Sequence, residues 1–163
     1  MPNCKTDDKK TKIQADLKAA KTALAGHVLA LCKDEQIFTS DLRGVAPMLD
    51  FIDRGVNLSG FSAADVVVGK AAAMLFKKAG VVAVYAKTLS KSGKRYLEEN
   101  GIYAEYGALT EKIINRAGTD MCPMERAVLE ISDAEEGYRA IVQRLSELRA
   151  ANANANAPKQ GEK

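Results

Sequence analysis

The chain has 163 residues, 47% of them apolar and 28% charged, and a formal net charge of +3. That size and balance fit one soluble globular domain with tails, large enough to bury a core without disulfide or metal staples. They exclude a membrane span, because the longest apolar runs (Val66–Val68 and Ala71–Phe76) are far too short, and the polar start MPNCKTDDKK predicts no secretory leader.

In chain order, residues 1–10 read as a flexible polar tail. Ile13, Leu17, Ala20 and Leu24 recur at helical spacing and predict a helix over 11–25. HVLALCK (27–33) and QIFTS (36–40) read as strands joined by a hairpin turn at Asp34-Glu35. A helix over 45–54 follows, with Met48, Leu49 and Ile52 on one face. DVVVG (65–69) is a continuous apolar strand, buried on both faces, and it runs straight into a helix over 70–79. VVAVYAK (81–87), a helix over 90–100 and IYAEY (102–106) repeat the pattern. A helical turn at 110–114 and helices over 123–131 and 133–149 complete it, the last opened by the capping-box pattern Ser132-Asp133-Ala134-Glu135. The tail ANANANAPKQGEK (151–163) is low in complexity and reads as disordered.

Gly26, Gly55, Gly80 and Gly101 each stand where a helix gives way to a strand. Helices alternating with short β-branched strands define an α/β layered fold. The early hairpin makes the sheet mixed, with one antiparallel strand, and the remaining strands are joined by right-handed helical crossovers.

Charge is distributed unevenly. Lys5, Lys9, Lys10 and Lys12 against Asp7 and Asp8 leave the first twelve residues with two positive charges. Lys159 and Lys163 against Glu162 leave the last six with one, so the body between the tails is neutral. A nucleic-acid binder carries its basic face on the domain itself, so this distribution argues against nucleic acid as a partner. The three cysteines, Cys4, Cys32 and Cys122, are widely spaced and form no Cys-x-x-Cys pair. They fit a reducing, cytoplasmic setting better than a disulfide framework. His27 is the only histidine, so no zinc site at ligand spacing is expected, and no calcium loop is present. No metal or cofactor is expected.

In open α/β sheets, ligands bind beyond the carboxyl ends of the parallel strands. Thr39-Ser40-Asp41-Leu42-Arg43-Gly44 stands at one such end. Its backbone would open a helix toward an anion, with Arg43 as a clamp for phosphate or carboxylate. In the plainer reading, Ser40 or Asp41 caps that helix and Arg43 is solvated or paired with Asp41. At a second end, Gly69 and the alanines after it allow close approach of a ligand, and Lys70 stands where a phosphate wants a cation. No Walker motif is present, and tight helix–sheet packing is the alternative. Ser90, at a third end, caps the helix after it. In the segment Asn115-Arg116 to Glu125, Pro123 at a first helical position makes Cys122 the N-cap. A thiol there feels the positive end of the helix, which makes Cys122 a candidate nucleophile or redox thiol with Glu125 one turn on. A buried, unreactive cysteine is the alternative.

FTSDLRGVAPMLD, DVVVGKAAAML, VYAKTLS and INRAGTDMCPME together resemble the motifs of domain-of-unknown-function family 1893, over roughly residues 14–130. That family is similar in fold to the cytidine deaminases. The resemblance therefore implies a three-layer α/β/α sandwich around a five-stranded mixed sheet, as residues 11–131, with 132–150 as an added C-terminal helix. In zinc deaminases the ligands stand at the starts of two helices, as H-x-E and P-C-x-x-C. The matching positions here are Asp41-Leu42-Arg43-Gly44 and Gly69-Lys70-Ala71-Ala72, and neither carries that signature. Zinc-dependent deamination is thus not expected.

Three readings follow. In the first, the relined cleft binds a small anionic or nucleotide-like ligand through Ser40, Asp41, Arg43, Gly44, Gly69 and Lys70, with Asn115 and Arg116 at one side. In the second, Cys122 is the nucleophile or redox thiol of an enzyme, with Glu125 or Asn115 positioning groups. In the third, the last helix and an exposed strand edge bind a protein partner, a second copy included.

Overall fold

A computed structural model describes residues 4–115 and 118–156. Five strands form one mixed sheet: β1 (Leu29–Lys33), β2 (Gln36–Ser40), β3 (Ser62–Val68), β4 (Ala83–Ser90) and β5 (Tyr103–Thr110), in the order β2-β1-β3-β4-β5. β1 runs antiparallel to both β2 and β3, whereas β3, β4 and β5 are mutually parallel. The single antiparallel strand expected from the early hairpin is therefore β1. Asp34, at the turn, has a φ of 56°, a conformation aspartate tolerates better than most side chains.

Alternation along the strands supplies two apolar faces. Ala30, Cys32 and Ala64 face helix α1 (Cys4–Ala23), which covers them with Ala20, joined by Leu24 just past its end. Leu29, Leu31, Ala63, Val84 and Ala86 join the larger core, with Met48 and Phe51 of α2 (Ala46–Asp53). Met74 and Phe76 of α3 (Lys70–Ala79) and Leu97 of α4 (Lys91–Glu99) complete that side. The product is helix, sheet, helix in three layers. The short α5 (Pro123–Ala127) and the long α6 (Ala134–Asn156) lie beyond, α6 against α3. A Cβ on Gly137 of α6 would stand 2.6 Å from Met74 Sδ, so any larger residue there would have to push that thioether aside.

Several boundaries differ from the sequence reading, each for a physical reason. α1 begins at Cys4 rather than 11, since the polar stretch before Ile13 continues the helix, with the side chains of residues 7–12 in solvent. β3 begins at Ser62, three residues before the expected start at Asp65. Ser62-Ala63-Ala64 are poor strand formers, but Ser62 and Ala64 are small enough to lie beneath α1 while Ala63 enters the core on the other face, and Ser62 Oγ donates to the carbonyl of Ile13 at 3.3 Å. β5 continues to Thr110, so the expected turn at 110–114 is absent; Ile114 instead bridges Met121 in antiparallel fashion. α5 stops at Ala127 instead of 131. α6 runs through the Ala-Asn repeat to Asn156, because alanine extends a helix already nucleated. Residues 157–163 of the expected tail lie outside the described residues.

The early start of β3 places Asp65 inside the sheet, between Leu29 and Ala86. It is 3% exposed, and its Oδ1 accepts from the Val67 amide at 3.4 Å. Burial pushes its carboxyl up to about 7, only partly opposed by the amides of Val67 and Val66. The folded protein therefore holds this proton to higher pH than the unfolded chain, whose value is the ordinary 3.8. Stability from this group is complete at acid pH and declines as pH rises from the unfolded value through about 7. Asp65→Asn keeps the acceptor and removes the charge. Urea unfolding of the variant is expected to show about 2–4 kcal/mol more stability than wild type at pH 8, and little difference near pH 4.

Candidate functional site

At the carboxyl end of β3 the chain passes through Gly69, in extended conformation, directly into α3. The first amides of a helix have no partner within it and attract an anion. Here the chain supplies that anion itself. Glu125 Oε2 accepts from the Lys70 amide at 3.0 Å, and Oε1 accepts from the Ala71 amide at 3.4 Å. A Cβ on Gly69 would lie 1.5 Å from Glu125 Oε1 and 2.9 Å from Ile113 Cγ1. Glycine is required at 69 to admit the carboxylate, not for backbone freedom.

The segment that carries Glu125 is built to place it. Asn115 organises the turn before it: its side-chain carbonyl accepts from the Thr119 amide at 3.1 Å and its Nδ2 donates to Thr119 Oγ1. Arg126 pairs with Asp120 at 2.6 Å. The Cys122 amide donates to the Ile113 carbonyl at 2.9 Å, and Pro123 opens α5 with Cys122 as N-cap. Glu125 is 7% exposed. Burial pushes its carboxyl up to about 6, against the opposing pull of the Ala71 and Lys70 amides and the Lys70 charge.

Two cavities meet at Glu125. The smaller, about 100 Å³, lies between the starts of α2 and α3; Gly44, Val67, Gly69, Cys122 and Glu125 are among its lining residues. The larger, about 390 Å³, lies between the start of α3 and the outer face of α4. Lys70, Ser92, Arg95, Glu99, Asn100, Glu125 and Ser132 are among its polar lining. Lys70 Nζ donates to the Leu129 carbonyl at 3.0 Å, which fixes its ammonium at this cavity.

The structure thus brings Gly44, Gly69, Cys122 and Glu125 together at one cleft and puts Lys70 with Glu125 at the other. Ser40 ends β2, Asp41 and Arg43 follow on the loop to α2, and none of the three lines either cavity. The plainer reading of that loop needs correction. α2 starts at Ala46 with Val45 as its N-cap and no side-chain cap. Asp41 instead pairs with His27 Nδ1 at 2.8 Å, and Ser40 Oγ accepts from the Leu42 amide at 3.3 Å. Arg43 is exposed and has no ion pair among the described residues. Asn115 serves its own turn, and Arg116 lies outside the described residues. Sequence reasoning missed Ser92, Arg95 and Ser132, which show in the sequence only as polar positions of a helix and a cap. It also missed Asp65, which stood just before an apolar run.

The residues at the two helix starts do not fit a zinc ion. Cys122 and Glu125 are the nearest donors of suitable type, and both Glu125 oxygens are held by amides. Among the described residues no three His, Cys, Asp or Glu side chains form a metal-holding group.

A family model described as Domain of unknown function (DUF1893) matches residues 18–145. A crystal structure of a DUF1893 family protein from Thermotoga maritima is 30% identical, with a TM-score of 0.69 over 85% of this chain and 90% of that one. The chain belongs to the DUF1893 family. Two deaminase structures overlay more loosely. A dCMP deaminase from the cyanophage S-TIM5 is 14% identical over 57% of this chain and 94% of that one, with a TM-score of 0.40. A diaminohydroxyphosphoribosylaminopyrimidine deaminase/5-amino-6-(5-phosphoribosylamino)uracil reductase from Thermotoga maritima is 17% identical over 61% of this chain and 36% of that one, with a TM-score of 0.37. Neither overlay supports an argument about activity. No curated protein matches the chain.

Gly69→Ala should displace the Glu125 carboxylate and cost about 3 kcal/mol. In a Glu125→Ala background the same substitution should cost about 1–2 kcal/mol less, leaving the contact with Ile113. A double-mutant cycle by urea denaturation reads that coupling directly.

Proposed function

We propose that this protein binds a small anionic, nucleotide-like ligand in the cavity of about 390 Å³ beside the head of α3. The observation that carries this reading is the lining, in which Lys70 and Arg95 share one recess with the hydroxyls of Ser92 and Ser132. Two cations with hydroxyl donors suit a phosphate or carboxylate. Glu99, Glu125 and Asn100 of the same recess can accept from the hydroxyl and amino groups of a sugar or base. The volume falls within the usual range of small-ligand sites, whereas the cleft of about 100 Å³ is too small. The ligand then lies one step away from the α3 amides, which Glu125 already satisfies. A groove of about 450 Å³ between α2 and α6 is larger, but it sets the single cation Arg149 against Asp50 and Asp53, where the recess has two cations to its two carboxyls.

Cys122 supports a second reading, thiol chemistry, because the smaller cleft holds it together with Glu125. Its supports are weaker. α5 has only five residues, Glu125 is engaged by α3, and His27 is paired with Asp41 elsewhere. The free thiols of Cys32 and Cys122 agree with a cytoplasmic setting. Among the described residues no helix is long and apolar enough to cross a membrane.

Thermal unfolding against a panel of nucleotides, nucleosides and inorganic phosphate tests the proposal. Ligand at a hundredfold over its dissociation constant should stabilise by about 2.7 kcal/mol, a rise of about 5–10 °C in Tm. Lys70→Ala and Arg95→Ala should each remove most of the rise, and Cys122→Ser should leave it intact. No rise across the panel, or a rise that survives both cation substitutions, overturns this site. Selective alkylation of Cys122 near neutral pH would then favour the second reading.

A further inference from the structure

One face of α4 lines the recess beside the head of α3. Ser92, Arg95, Tyr96, Glu99 and the C-cap Asn100 recur there at helical spacing. The polar groups on that face are sorted by end. Ser92 and Arg95 stand toward the start of the helix, and Glu99 and Asn100 stand at its finish. The start of α4 abuts the start of α3, since a Cβ on Gly93 would lie 2.9 Å from the Gly69 carbonyl carbon. Lys70 therefore joins Ser92 and Arg95 at one end of the recess. Its Nζ donates to the Leu129 carbonyl and has two further protons to offer. Glu125, the lining carboxyl at that end, is engaged by the Lys70 and Ala71 amides.

The charges of α4 divide by whether the chain itself pairs them. Lys94 pairs with Glu98 at 2.7 Å and Lys91 pairs with Glu111, and none of these four lines the recess. Arg95 and Glu99 have the same i, i+4 spacing as Lys94 and Glu98, and both line it. Among the described residues neither has an ion pair, with the other or elsewhere. Asn100 Nδ2 donates to the Tyr96 carbonyl at 2.8 Å, which leaves its side-chain oxygen as an acceptor next to Glu99. The recess thus offers open donors at one end and open acceptors at the other.

We infer that its ligand is a small zwitterion, a phosphate monoester that carries an ammonium group at its far end. This rests on the reading of the recess as an anion site and adds the second charge. Lys70, Arg95 and Ser92 hold the phosphate, and Glu99 with Asn100 receives the ammonium. Four residues of helix separate Arg95 from Glu99, about 6 Å of rise, so the two charges of the ligand stand about that far apart. An anion alone would leave Glu99 unpaired and opposing it, and a cation alone would leave Lys70 and Arg95 unpaired. Only a molecule with both charges, in this order, meets both ends.

Calorimetric titration of the full chain with propyl phosphate and with 3-aminopropyl phosphate is the test. The two probes share the anion and differ in the ammonium. 3-Aminopropyl phosphate is expected to bind about fivefold more tightly. Glu99→Gln, at an exposed position where folding is retained, should weaken 3-aminopropyl phosphate by about the same factor. It should tighten propyl phosphate, because it removes a carboxylate that opposes a simple anion. A purely structural role of Glu99 would move both probes in one direction and overturns the inference. So does equal affinity of the two probes, or a preference that survives Glu99→Gln. In those cases the anion site still stands if Lys70→Ala and Arg95→Ala abolish binding of both probes. Absence of binding by either probe at tens of millimolar, or binding indifferent to both cation substitutions, overturns the anion site and the zwitterion with it.

Discussion

The carboxylate of Glu125 at the head of α3 sets the terms for the rest of the molecule. α3 is the central helix of the layer that covers the sheet, packed on α4, α6 and α2. Its first turn faces the end of β3, where unmet amides would be costly if buried. Glu125 meets two of them from a five-residue helix with little regular structure before it. One contact therefore satisfies the helix head, anchors the irregular segment after β5, and divides the space beyond the sheet into two cavities. Gly69 is the condition for that contact, since any side chain there collides with the carboxylate.

This internal anion changes the electrostatics expected of the site. With the α3 amides engaged, the helix head offers little to a second anion. The Lys70 side chain turns to the Leu129 carbonyl and its charge stands at the other cavity, where Arg95 of α4 joins it. The positive charge available to a ligand is thus displaced from the α2–α3 cleft to the α3–α4 recess. That displacement is what favours the larger recess as the ligand site in our proposal.

Much of the fold was legible because its signals are local. Each of the four helix-closing glycines has a positive φ, and the apolar runs 66–68 and 81–86 lie in or beside central strands. The antiparallel hairpin followed from a two-residue turn. Boundaries were lost where packing overrules propensity: 62–64 form a strand because Ser62 and Ala64 are small enough to lie beneath α1, and 107–110 form one because β4 extends that far. At the site, Gly69, Lys70, Cys122 and Glu125 were legible as residue types at helix starts. Their partners were not. The contact of Glu125 with Lys70 spans 55 positions, and nothing in either local sequence announces it. Arg95 was hidden for the same reason, since its relation to Lys70 is a product of how α3 and α4 pack.

Two carboxyls, Asp65 and Glu125, are buried at either end of one short stretch, 65–71, and burial raises both. Structure alone gives little reason to keep them ionisable: an asparagine would serve the Val67 amide, and a neutral acceptor would serve α3. Groups with raised values next to a cavity are enriched where proteins bind ligands or move protons. Glu125 borders both cavities, and its value of about 6 lies close enough to neutral pH for a ligand's charge to shift its protonation. An anion between Lys70 and Arg95 would raise it further, so binding would take up a proton at Glu125 and would strengthen as pH falls toward 6. A simple salt contact at an exposed lysine carries no such proton linkage. The pH dependence of affinity therefore separates a ligand held beside Glu125 from one held at the surface.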